Sequence, residues 1–327
     1  MNWREERHQI LAPWSIFLIT GVFAIAFWIK SFLSYDMVNF PTEKDILYYY
    51  LTQIIPFDSF LAKIIAFLLV VFIAVITFFA NNKYFFIKNK SALIIMFMVL
   101  LMGLNDPSHN LNPGIIGLTF LLFAFIRFLG MHGKLHTGAR SFDIGLYISI
   151  GSLFYDRMLF FIPLFYIGFY IYQQLHIKNI LATFFGITFP YLLTGGICFL
   201  FDDFDNFVQR IPFSISHTTD THIGHIIYYG LLGLVTLLAF FNFILKYSNE
   251  KIKTRNTIFF IYLLLLGTIV SIFFSNHLFL FELPFISFFL SIVFAHFFAN
   301  NTSRFSRFIF YAFWTIGIIW FLVSFIL

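Results

Sequence analysis

Apolar residues run in long blocks along this chain, broken by short polar segments that hold most of its charges. Eleven blocks stand out, at about 14–33, 57–79, 91–104, 113–129, 142–154, 158–172, 180–201, 224–245, 257–274, 279–298 and 306–327. A helix needs about 20 mainly apolar residues to cross about 30 Å of hydrocarbon. The four consecutive blocks from 91 to 172 are shorter than that, which predicts short helices packed in pairs. The pattern therefore predicts an all-α polytopic transmembrane bundle of about eleven spans, with short paired helices in the middle. The longest polar pieces, 34–56 and 202–223, are too short to fold as soluble domains. Residues 1–327 accordingly read as a single membrane-embedded domain. The first block has the length of a span and no small-residue cleavage site after it, so it is expected to be retained rather than removed as a signal peptide.

Composition agrees. Hydrophobic residues make up 60% of the 327 positions and charged residues 11%, against roughly 45–50% and about 25% in soluble domains. So few charges cannot cover a water-facing surface, which excludes an ordinary soluble enzyme. Cys198 is the only cysteine, so no intrachain disulfide framework exists. The 53 phenylalanines suit lipid contact and packing, and they identify no chemistry.

Charge sorting changes the picture more than charge content does. With the N-terminus inside, the alternating segments place 14 of the 20 basic residues inside, in every inner segment from Arg4 to Arg307. Only Lys44, Arg157 and Arg210 fall outside. That is the positive-inside pattern, and it predicts a cytoplasmic N-terminus and a periplasmic C-terminus. Joining 142–154 to 158–172 would invert every later loop, so the two are read as separate helices. The net charge of +5 is then mostly a topology signal. Spread over several short segments, it does not form a nucleic-acid surface.

Ten of the 15 acidic residues fall on the outer side, although carboxylates contribute little to orientation. Asp36, Glu43 and Asp45 lie in the first outer loop, Asp106 and Asp156 in later turns, and Asp202, Asp203 and Asp205 after the seventh block. They are candidates for holding Mg²⁺ or Mn²⁺ through hard oxygen ligands, or for general-base work. Solvated loop and helix caps are the plain alternative. His217, Asp220, His222 and His225 form a second group within nine residues, with ligand types that suit Zn²⁺ or Fe²⁺; the spacing is not that of HExxH. Helix capping and interfacial hydrogen bonds are its plain reading. Glu282 sits a few residues into the tenth block, as either a functional carboxylate or one that reaches out to water. Tyr48, Tyr49 and Tyr50 read as interfacial anchors or packing residues. No phosphate loop, dinucleotide fingerprint or nucleophile elbow is present.

The runs Asn112-Pro-Gly-Ile-Ile-Gly-Leu-Thr through Arg127, Ser141-Phe-Asp-Ile-Gly-Leu-Tyr through Asp156, and Gly186-Ile-Thr-Phe-Pro-Tyr191 resemble an uncharacterised family of bacterial polytopic inner-membrane proteins. Some members of that family carry a carotene-monooxygenase name. In layout, residues 14–201 also resemble the helical ladder of the C-type membrane glycosyltransferases, with 202–327 as further C-terminal spans. Tyr35-Asp36 follows the first span, where that superfamily often places its catalytic carboxylate, while the acidic pair and large outer domain of many members are absent.

The resemblance implies an enzyme at the outer face of the inner membrane, taking its sugar from a polyprenyl-phosphate lipid. Asp36 would be the catalytic carboxylate. Arg210 or Arg157 would hold the donor phosphate, and Asp106, Asp202, Asp203 and Asp205 would line the substrate site. A non-catalytic scaffold or partner subunit in envelope assembly is the alternative, with membrane lipids and envelope proteins as partners. A metal-dependent lipid or carotenoid oxidase, or a transporter, fits the polar pattern less well.

Overall fold

The computed structural model describes residues 13–33, 45–56, 59–87, 92–210, 223–274, 279–301 and 303–326. Among them are thirteen α-helices and no strand. In chain order they are α1 (Pro13–Leu33), α2 (Ile46–Ile54), α3 (Phe60–Tyr84), α4 (Leu93–Gly103), α5 (Pro113–Leu129), α6 (Gly138–Phe154) and α7 (Phe161–Ile171). Then follow α8 (Ile177–Leu200), α9 (Phe204–Arg210), α10 (Ile223–Leu245), α11 (Ile252–Phe274), α12 (Phe279–Asn300) and α13 (Arg304–Ile326). Each of the eleven apolar blocks is a helix, and the polar pieces 34–56 and 202–223 add α2 and α9.

Eleven crossings do not follow from eleven helices. Among the described residues, four helices are long and apolar enough to cross a membrane: α3, α8, α11 and α12. This corrects the expected span count, and burial supplies the reason. Helix α4 has 11 residues, about 17 Å at 1.5 Å per residue, and all of them except Ile95 are buried. It is apolar because it is core. Helix α12 is long enough to span, yet every side chain from Phe281 to Phe298 except Ile286 is buried. Helices α4, α5, α10 and α11 pack around it. Outward-facing helices look different. On α8, Phe184, Phe189, Leu192 and Leu200 are all exposed, a surface suited to lipid and not to water. The fold is that of an all-helical integral membrane protein.

Helix ends follow local chemistry. Asn112 caps α5 by accepting Ile115 N–H at 2.8 Å, with Pro113 in the first turn, where its missing donor costs nothing. Ser59 caps α3 by accepting Ala62 N–H at 3.1 Å. Helix α8 ends at Asp202, whose φ of 57° is the left-handed stop seen at helix C-termini. Asp203 N–H then turns back to the Cys198 carbonyl at 2.9 Å.

Among the described residues, the α6–α8 pair makes the most extensive helix contact. A Cβ on Gly145 would lie 2.2 Å from the Thr183 carbonyl oxygen, and one on Gly186 would lie 2.2 Å from that of Phe142. Two glycines, one from each helix, thus let the backbones touch, which is the small-residue packing used between membrane helices. Hydroxyls line the same seam. Ser149 Oγ donates to the Ile187 carbonyl at 2.7 Å, and Thr183 Oγ1 donates to that of Ser141 at 3.1 Å.

Gly145→Val or Gly186→Val must therefore push α6 and α8 apart, at a cost of about 1–3 kcal/mol or more. Gly233→Ala meets nothing within 4 Å and is expected to be neutral. Thermal unfolding of the purified variants in detergent checks both outcomes, and equal midpoints for all three would contradict the seam.

Candidate functional site

The two ends of the bundle differ in charge. At one end the hydrogen bond from Arg140 Nη1 to the Gly130 carbonyl (2.6 Å), that from Gln174 Nε2 to the Lys134 carbonyl (3.1 Å) and that from Lys246 Nζ to the Asn300 carbonyl (3.0 Å) tie basic segments together. The opposite end gathers α2, the α6–α7 turn, the last turns of α8 and α11 and the first turns of α12. There a polar cluster forms.

Its centre is the turn Tyr155-Asp156-Arg157. Asp45 stands at the N-terminus of α2 but makes no capping bond to that helix. Its Oδ1 instead accepts the backbone N–H of Asp156 at 3.1 Å. The Arg157 Nε lies 3.5 Å from Asp156 Oδ1; the Arg157 side chain is buried, at 2% exposed, and that of Asp156 is 28% exposed, so the guanidinium is held out of water while its partner keeps an edge toward it. Tyr155 is fully buried and donates to Glu282 Oε1 at 2.7 Å. Ser271 from α11 donates to the same oxygen at 2.9 Å. Glu282 Oε2 is buried with no hydrogen-bond partner among the described residues. On the α8 side, the Tyr191 hydroxyl and Ser152 Oγ are 2.8 Å apart.

Three carboxylates therefore share a poorly hydrated space with one guanidinium. Burial, and then the charge of Asp156, push the Asp45 carboxyl up to about 8, against smaller opposing effects from the Asp156 N–H and Arg157. A carboxyl in that range can give or take a proton near neutrality.

Beside the cluster lies an apolar groove of about 460 Å³ between α8 and α9, walled by Tyr191, Leu192, Gly195, Phe199, Phe204 and Phe207. Tyr191 belongs to both places: its ring walls the groove while its hydroxyl meets Ser152. The groove is also joined to α2, because the Tyr50 hydroxyl donates to Asp203 at the start of α9. Asp203 accepts Asn206 Nδ2 as well, at 2.5 Å.

The structure sorts the residues expected from sequence. Arg157 and Asp156 enter the cluster. Asp203 tethers α9 to α2, while Asp202 is exposed as the helix stop and Asp205 is exposed on the first turn of α9. Glu282 does not reach water; it is wholly buried. Asp36, His217, Asp220 and His222 lie outside the described residues, and so do the side chains of Asp106, Arg210 and His225. Among the described residues, no group of three or more His, Cys, Asp or Glu is arranged to hold a metal ion. Sequence reasoning undervalued Asp45, Tyr155 and Tyr191. The signal that was present is the direct succession Tyr-Asp-Arg between two apolar blocks, where a buried charge pair needs partners from elsewhere. In the Tyr48–Tyr50 run, packing is the reading that holds for Tyr48. Tyr48 is buried and its hydroxyl donates to the Leu111 carbonyl at 2.9 Å. No family model, curated protein or solved structure matches the chain.

The raised Asp45 carboxyl makes stability depend on pH. The native state holds this proton more tightly than the unfolded chain, so the contribution is complete below about 4 and is lost as pH rises to about 8. The unfolding midpoint should fall across that window and level off above it, with a smaller slope in Asp45→Asn. A slope unchanged by Asp45→Asn would place the titrating group elsewhere.

Proposed function

We propose that the protein is a glycosyltransferase-like enzyme that takes a polyprenyl-phosphate-linked sugar at the outer face of a bacterial inner membrane. The observation that carries this reading is the junction at Tyr191, where a buried acid–base cluster adjoins an apolar groove on the lipid-facing helix α8. A substrate with a long apolar chain and a polar reacting end needs those two environments side by side. By the positive-inside rule the basic end is cytoplasmic, which sets the cluster at the outer face.

In this reading Asp45 takes the catalytic place that the sequence suggested for Asp36. Its carboxylate accepts the proton of the acceptor hydroxyl as the acceptor oxygen bonds to the sugar carbon, and the bond from that carbon to the phosphate oxygen breaks. The polyprenyl phosphate leaves. Arg157 is buried and committed to its pair with Asp156, so the cation for the donor phosphate falls to Arg210, at the end of the helix that walls the groove. Because the ionised form of Asp45 is the base, turnover should rise with pH through about 8.

A non-catalytic scaffold or partner subunit in envelope assembly is the second reading, favoured by the internal bonds Tyr155–Glu282 and Asp156–Asp45, which also knit the helices together. Purified protein in proteoliposomes, supplied with polyprenyl-phosphate sugars and assayed for release of polyprenyl phosphate, separates the two. The enzymatic reading expects Asp45→Asn to lose on the order of 100-fold in rate or more with normal protein yield. Equal turnover in the variant removes Asp45 from the chemistry. Absence of turnover in the wild type, together with stoichiometric co-purification of an envelope protein, selects the scaffold.

A further inference from the structure

Among the described residues, the basic end holds positive charges that its own carboxylates do not answer. Lys83 Nζ stands 5.5 Å from the centre of the Tyr84 ring and Lys253 Nζ stands 5.4 Å from the same centre. A methyl built on Gly130 would lie 3.2 Å from the Tyr84 hydroxyl oxygen and 3.4 Å from Arg140 Nε, so the phenol and the guanidinium face a common point. Two ammonium groups and a guanidinium thus surround one tyrosine. Among the described residues, the carboxylates at this end are engaged elsewhere. Asp143 pairs with Arg127 at 3.1 Å, and Glu250 accepts Asn300 Nδ2 at 2.9 Å near His296. His132, on the α5–α6 connection, feels the same positive field: burial and then the Lys253 charge hold its imidazole below the usual range.

The apolar surface beneath this cluster is continuous with it. Leu68, Phe72, Val75 and Phe79 follow one another at helical spacing along α3, each between 39% and 63% exposed. Lys83, one turn beyond Phe79 on the same face, is exposed as well. The stripe runs along one of the four helices long enough to span and ends at the cations. An acyl chain along the stripe would bring its headgroup to the level of Lys83. Thr254 Oγ1 donates to the Phe85 carbonyl at 3.4 Å, which brings the start of α11, and with it Lys253, against the end of α3.

We propose that Lys83, Lys253 and Arg140, gathered at Tyr84, form a binding site for the phosphate of an anionic phospholipid whose acyl chain lies along the exposed face of α3. Like charges brought together at the headgroup layer of a bilayer are stabilised by anionic lipid. A soluble phosphate would use the cations and leave the stripe without a role. The site depends on the membrane setting of the fold and is independent of glycosyl transfer at the opposite end.

The test uses the full chain in nanodiscs of phosphatidylcholine, alone or mixed with phosphatidylglycerol, with unfolding midpoints and retained lipid by native mass spectrometry as readouts. Phosphatidylglycerol should raise the midpoint and be retained in preference to phosphatidylcholine. Apparent affinity should fall about fivefold for each lysine neutralised by Lys83→Gln or Lys253→Gln, and Lys83→Arg should restore it. Lys83 is exposed, so Lys83→Gln alone decides the matter if Lys253→Gln does not fold. Equal retention by wild type and Lys83→Gln would overturn the site. Equal stabilisation by inorganic phosphate without anionic lipid would overturn the lipid as its ligand.

Discussion

Helix α12 has almost no face left for lipid, and that constraint shapes much of the molecule around it. With α4, α5, α10 and α11 packed about it, no water reaches its polar side chains, so other protein groups must satisfy them. Asn105 donates to Ser287 Oγ at 2.7 Å, and Ser291 turns back on the Phe288 carbonyl at 2.7 Å. Glu282 makes the largest demand, because a buried carboxyl without partners is among the most costly groups a protein can hold. Tyr155 meets it from the α6–α7 turn and Ser271 from α11. The turn that supplies Tyr155 also supplies Asp156 and Arg157, so meeting the need of one buried acid assembles the site.

A second seam decides where that site opens. Gly145 and Gly186 let α6 and α8 touch along their length, which sets Ser152 against Tyr191 at the end where the turn lies. The outer face of α8 remains exposed and apolar, and α9 folds over its last turn to make the groove. Asp203 holds α9 in place through Tyr50 on α2, and α2 begins at Asp45. Catalytic candidate, groove and tether are therefore linked by a chain of contacts from three short polar stretches. Helix–helix packing in the seam and the polar cluster at its end are structurally dependent on each other.

Much of this was legible in the sequence. Eleven apolar blocks became eleven helices, the Tyr-Asp-Arg turn separated α6 from α7, and the basic residues collected at one end. The number of crossings was not legible, because apolar character reports removal from water and does not say whether lipid or protein replaces it. Helix α4 reads like a short span and is core. Among the acids, Asp202 and Asp203 stand side by side yet have different roles, one a helix stop and the other a tether. Asp45 and Asp156 are 111 residues apart, so no local pattern could have paired them. Glu282 sits near a helix start, where sequence alone allows an escape to water that burial by Phe281, Phe285 and their neighbours closes.

By itself the sequence determined the class, the helices and the charge polarity of the ends. Each rests on local quantities: helical propensity, block length and the cost of placing charge in hydrocarbon. The tertiary structure alone decided which helices face lipid, which acids lie together, and which of them keeps its proton near neutrality. Those properties arise from distances between residues far apart in the chain and from the water that packing excludes.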